Sequence, residues 1–82
     1  MTDKPVRRFI SKFRRGTDSP LEEIALTNVP LATLQAIFQK PSEDLMYASY
    51  DIDENHARAL QPFVAEPIDL KAYEYFLEAE EL

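Results

Sequence analysis

One histidine, no cysteine and fifteen carboxylates are the groups of this 82-residue chain that could do proton, nucleophile or metal chemistry. Catalysis needs such groups held close to one another. His56 stands between Asn55 and Ala57 without a second histidine or a cysteine at ligand spacing, so it reads as a surface residue before a partial cap or a ligand. Asp51-Ile52-Asp53-Glu54 gathers three carboxylates and invites a calcium reading. A calcium loop opening at Asp51 would need glycine where His56 stands and glutamate where Pro62 stands, and the motif fails. Helix capping explains Asp53 without a metal. Gly16 is the single glycine, which rules out a glycine-rich phosphate loop, and no spacing singles out a carboxylate pair for acid–base work. The sequence therefore predicts no catalytic residue, no metal and no cofactor.

Two stretches have the composition of binding surfaces. Arg7, Arg8, Lys12, Arg14 and Arg15 are interleaved with Phe9 and Phe13, a pattern that can bind single-stranded nucleic acid by stacking and phosphate neutralisation. The same bases can instead pair with the acidic last strand across a sheet, and that internal pairing is the preferred reading. The second stretch is Asp44, Tyr47, Tyr50, Asp51, Asp53 and Glu54, with Met46 beside them. Tyrosine brings large contact area at small entropic cost, so this segment suits a protein with a basic, partly apolar patch. Closure of a small core by Tyr47 or Tyr50 weighs equally.

The charge is unevenly distributed. Residues 1–41 carry seven Lys/Arg against four Asp/Glu, and residues 42–82 carry two against eleven, within an overall charge of −6. The acidic half repels nucleic acid and anionic membranes, although a solvated face is the commoner meaning of such charge. Five Phe and four Tyr give a chain this short the apolar area for one thin core, hence a single domain over residues 1–82. Without cysteine, without an apolar leader after Met1–Pro5 and without an apolar run of membrane length, the chain reads as cytoplasmic.

The elements that must position these residues follow from period and punctuation. Val6, Phe9, Ile10 and Phe13 fit a helix, and Val6–Arg15 also reads as a strand. The turn cluster Gly16–Pro20 and the alternation of Ile24 and Leu26 within Leu21–Asn28 tip the reading to a β-hairpin, with a first helix as the alternative. A helix opens at Asn28 or Val29 with Pro30 in its first turn, carries the stripe Leu31, Leu34, Ile37, Phe38, and stops at Pro41. A short extended piece follows around Leu45–Ile52. Asp53 then caps a short second helix with Ala57, Leu60 and Val64 inside, ended near Pro62. Lys71–Glu80 alternates Tyr73, Tyr75, Leu77 and Ala79 against Glu74, Phe76, Glu78 and Glu80, a strand with one apolar and one mostly acidic face. The expected fold is α+β, a three-stranded, mainly antiparallel sheet with two helices on one face in the order β-β-α-α-β.

Three pieces together resemble a small bacterial domain family of unknown function. They are the hairpin leading into a leucine-rich helix, the stretch Asp44-Leu45-Met46-Tyr47-Ala48-Ser49-Tyr50-Asp51-Ile52, and the ending Ile68–Glu78 with Tyr73-Glu74-Tyr75-Phe76-Leu77-Glu78. The family shows D-P-M-Y-x-x-Y-x-I and F-D-x-x-x-Y-D-Y-F-L-E patterns, and this chain departs at Leu45, Ile68 and Glu74. The resemblance implies a candidate immunity protein, a cytoplasmic inhibitor of a toxin domain. Independently, a small, acidic, cysteine-free binder suits a basic toxin domain such as a nuclease. The alternatives are a structural or regulatory interaction domain, homodimeric through a sheet edge, and a small nucleic-acid-binding protein using the basic hairpin.

Overall fold

The computed structural model describes residues 6–82, so the opening Met1–Pro5 stretch read for a leader lies outside them. Val6–Arg14 is a strand, β1, and the turn through Gly16 (φ 81°) returns it into β2, Pro20–Ala25. A glycine serves there because a left-handed backbone carries no penalty without a Cβ. The hairpin reading of the ambiguous first segment therefore holds. Its second strand is shorter than the alternation suggested: Asn28 turns to φ 51°, and the Thr27 N–H donates to the carbonyl of Phe63 at 3.0 Å.

Helix α1 spans Leu31–Ile37, with Pro30 as its extended N-cap rather than in its first turn. It ends before Pro41. Gln39 adopts φ 56°, and the N–H groups of Gln39 and Lys40 donate to the carbonyls of Ala36 and Gln35 at 3.3 and 2.8 Å. That is a Schellman closure built without glycine. Helix α2, Glu54–Leu60, is capped by Asp53 as expected and runs into a 3₁₀ turn at Gln61–Phe63 that absorbs Pro62.

The sheet has four strands, not three. Tyr50–Asp51 forms β3, paired antiparallel with Leu77 and Phe76 of the last strand, β4 (Tyr73–Glu81). The extended piece around Leu45–Ile52 thus enters the sheet, and the order along the chain becomes β-β-α-β-α-β. Across the sheet the order is β2-β1-β4-β3, all antiparallel, so the first and last strands form its centre.

Alternation assigns the faces. Ile10, Ile24, Tyr75 and Leu77 point to one side and join Leu34, Phe38, Ala57 and Leu60 from both helices in one core cluster. Each fully buried aliphatic side chain in it contributes about 1.5–3 kcal/mol by leaving water. Phe9, Phe13 and Phe76 point to the other side, with Glu74 and Glu78, where neither helix packs. Among the described residues no helix is long and apolar enough to cross a membrane.

Candidate functional site

The acidic, aromatic segment Asp44–Glu54 is contiguous in the chain, yet its side chains serve different tasks. The Asp44 carboxylate accepts the N–H of Met46 at 2.8 Å, and its carbonyl accepts from the Gln35 amide at 2.8 Å, so Asp44 ties the loop to α1. Met46 itself is buried in the core with φ 55° and contributes nothing to a surface. Tyr47 is 46% exposed, with the Arg8 guanidinium 6.0 Å from its ring centre. Tyr50 is half-buried against Phe38, ring centres 5.8 Å apart, and Lys40 Nζ sits 5.1 Å from its ring centre. Burial first, and then the Asp44 charge, raise the pKa of its hydroxyl.

Asp51 is exposed and shares the helix-free side of the sheet with its cross-strand neighbour Phe76. Asp53 and His56 form a reciprocal cap: the Asp53 carboxylate accepts the His56 N–H at 2.8 Å, and His56 Nδ1 accepts the Asp53 N–H at 3.1 Å. An accepting Nδ1 places the ring proton on Nε2. The imidazole also stacks on Phe38, centres 4.1 Å apart, so it is a cap and packing residue rather than a free surface one. Glu54 meets Arg58 in an exposed pair at 3.4 Å. Within the segment, Tyr47, Asp51 and Glu54 are thus presented outward, while Asp44, Tyr50 and Asp53 hold structure as well.

The basic cluster is largely consumed inside the molecule. Arg7 Nη2 donates to Glu23 at 2.8 Å and Glu80 at 3.3 Å, which raise its pKa against the lowering effect of desolvation. Lys12 Nζ lies 3.2 Å from both Glu22 and Glu66 and 4.1 Å from the Tyr73 ring centre. Desolvation works to lower its pKa, and the hydrogen bonds to the two glutamates outweigh it, raising the value to about 12. Arg8 Nη2 donates to the Leu45 carbonyl at 2.5 Å, leaving its Nε buried without an acceptor. Arg15 donates to the Leu70 carbonyl. The expected pairing with the last strand is present for Arg7 through Glu80; Lys12 finds β2 and the Glu66 loop instead.

Hollows among the described residues accompany these elements. A groove of about 960 Å³ runs between α2 and the connection to β4, lined by Ala57, Pro62, Ile68 and Leu70 under Glu54, Arg58, Asp69 and Lys71. A smaller one, about 390 Å³, lies on the helix-free face between Phe13, Phe76, Asp18, Glu74 and Glu78. Sequence reasoning passed over this second group. The available signal was Phe76, an aromatic residue on the otherwise acidic face of the last strand, matched by Phe9 and Phe13 on one face of the first. Among the described residues no three His, Cys, Asp or Glu side chains converge as a metal-holding group.

Comparison with known proteins agrees with the resemblance to a small domain family of unknown function. The chain belongs to DUF7683, a domain of unknown function, which matches residues 7–78. No curated protein matches the sequence.

Proposed function

We propose that this chain is a bacterial immunity-type protein that binds a toxin domain with a basic surface, such as a nuclease, and covers its active site or substrate surface. It acts in the cytoplasm, by binding alone, without a metal or cofactor. The observation that carries the reading is the fate of the basic cluster. Arg7 and Lys12 are neutralised by four glutamates, and Arg8 and Arg15 are turned onto backbone carbonyls. Tyr47, Asp51 and Glu54 remain outward. A partner therefore meets an anionic surface with aromatic area in it, the composition that steers a basic protein and rewards its docking. Phosphate backbones would be repelled by the same surface.

The gene beside this one supplies the test. It should encode a toxin whose isolated toxic domain binds this protein and whose toxicity co-expression relieves. Association should slow steeply as salt rises, and Asp51→Lys with Glu54→Lys should slow it further at low salt. Tyr47→Ala should instead quicken dissociation. Affinity indifferent to salt and to both charge reversals would overturn the reading. So would binding of single-stranded oligonucleotides that Arg8→Glu and Arg14→Glu abolish.

A further inference from the structure

The helix-free face of the sheet has two halves that both set aromatic rings among carboxylates, and only one of them holds a base. In the half built on Arg7, Glu80 and Glu23, the guanidinium carbon of Arg7 sits 4.1 Å from the ring centre of Phe9. Its Nη2 reaches the Glu23 and Glu80 carboxylates at 2.8 and 3.3 Å. The ring lies beneath the guanidinium with carboxylates around it, and Phe9 is only 7% exposed on a face where neither α1 nor α2 packs. The side chain stacks and forks at once, as a planar guanidinium can.

The other half repeats the ring and the carboxylates. Phe13 and Phe76 meet edge to face, centres 5.4 Å apart at 85°. Together with Asp18, Glu74 and Glu78 they line the hollow of about 390 Å³, and no base lines it. Among the described residues none of these three carboxylates carries an ion pair. The pairing register shifts between Lys12 and Phe13, so Phe13 lies opposite Pro20, and a bulge of this kind re-aims a side chain. Half-buried phenylalanines on a solvated sheet face are informative in a way that acids there are not.

We infer that this hollow receives an arginine side chain of the partner protein, an inference that rests on the reading of the chain as a binder of a basic protein. The guanidinium stacks on the Phe13–Phe76 pair and forks onto Glu74 and Glu78, reproducing in trans what Arg7 does in cis. Charge complementarity selects this occupant. A second copy of the chain would bring carboxylates against carboxylates on this face. A divalent cation lacks a convergent set of ligands. Lysine can meet a ring and two carboxylates, as Lys12 does, but its point charge neither stacks flat nor presents a planar fork, so it is the weaker fit.

The experiment is a titration of isotope-labelled protein with N-acetyl-arginine amide, followed by amide chemical shifts, with the lysine and norleucine amides in parallel. Saturable shifts should localise at Phe13, Asp18, Glu74, Phe76 and Glu78, with lysine amide weaker and norleucine amide inert. Glu74→Gln with Glu78→Gln should weaken the arginine probe by roughly threefold, as the loss of two exposed ion pairs predicts. Phe76→Leu should weaken it as well; should that variant not fold, the double glutamine variant, which changes only charge, carries the test. Equal response to arginine and lysine, an absence of saturable shifts, or shifts confined to the groove beside α2 would overturn the inference. In those cases salt-sensitive binding of the toxic domain would still stand on its own. Conversely, a wild-type protein that does not bind the neighbouring toxic domain overturns the functional reading, whatever the probe does.

Discussion

The two faces of one sheet handle charge in opposite ways. On the covered face, β1 contributes Arg8 and Lys12 on either side of the fully buried Ile10, and each cation is held, by the Leu45 carbonyl and by Glu22 and Glu66. On the open face β1 contributes Arg7, Phe9, Ser11 and Phe13, facing Glu80, Glu78, Phe76 and Glu74 of β4. One cation there confronts a row of acids. The asymmetry that the chain shows between its two halves is therefore re-sorted by strand alternation into an asymmetry between faces. Bases and acids that lie far apart in sequence meet where the sheet closes, and the surplus acid is left outside. Compositional halves say little about surfaces until the register is known.

The comparison breaks first if the covered face is not the stabilising one. Leu34→Ala, at a fully buried position under the sheet, should cost about 2–5 kcal/mol in a urea melt. A loss within error there would mean that α1 is not packed as described. Next in size is the cap that fixes α2 against this face. Asp53→Ala should cost about 0.5–2 kcal/mol, with Asp53→Asn close to neutral because the amide oxygen still accepts the His56 N–H.

Smaller, and specific in its pH window, is the alkaline response. Lys12 and Tyr50 both hold their protons more tightly when folded than when unfolded. The unfolded chain thus releases protons first as pH climbs, and folding loses ground. Their contribution is complete below about pH 10, the ordinary tyrosine and lysine range. It drains away as pH rises through the folded value of Lys12 at about 12. Thermal melts across that range should show a declining midpoint, with a shallower decline for Tyr50→Phe. The smallest effect belongs to the open face. Glu78→Gln should leave stability within about 0.5 kcal/mol, since among the described residues the side chain holds no ion-pair partner. A cost as large as that of the cap would make the open face structural and end the contrast.

Much of this arrangement was legible beforehand. Tyr73, Tyr75 and Leu77 alternate plainly with acids, Gly16 and Pro20 punctuate the hairpin, and Asp53 announces its helix. Other features leave no trace in a single sequence. β3 is two residues long, too short for any period to register, and it exists because the outer edge of Leu77 and Phe76 offers backbone partners. The end of α1 relies on Gln39 in a left-handed conformation that sequence assigns to glycine. For His56 a partial cap ranks below a surface residue in the sequence, because a histidine closing a cap and stacking on Phe38 needs both neighbours in place. The contiguous Asp44–Glu54 segment could be seen as acidic and aromatic, but which of its side chains face outward depends on the burial of Met46 and Tyr50. The hollow on the open face needs more still: Phe13 and Glu74 become neighbours only through the β1–β4 register.

That central pairing also governs when the protein can fold. β1 and β4 join nearly the two ends of the described chain, from Val6 with Glu81 to Arg14 with Tyr73. During synthesis the hairpin and α1 emerge long before the strand that must lie beside β1. Until β4 arrives, β1 has one bare edge and both helices lack the cover of Tyr75 and Leu77. Closing so long a loop is entropically slow, and topologies dominated by distant contacts fold late for this reason. The nascent chain must keep that bare edge from pairing with other chains while it waits. Three of the strand's five residues from Val6 to Ile10 are apolar and the other two are Arg7 and Arg8. Those arginines then act as gatekeepers on the growing chain, well before they acquire the glutamate and carbonyl partners that occupy them in the finished fold.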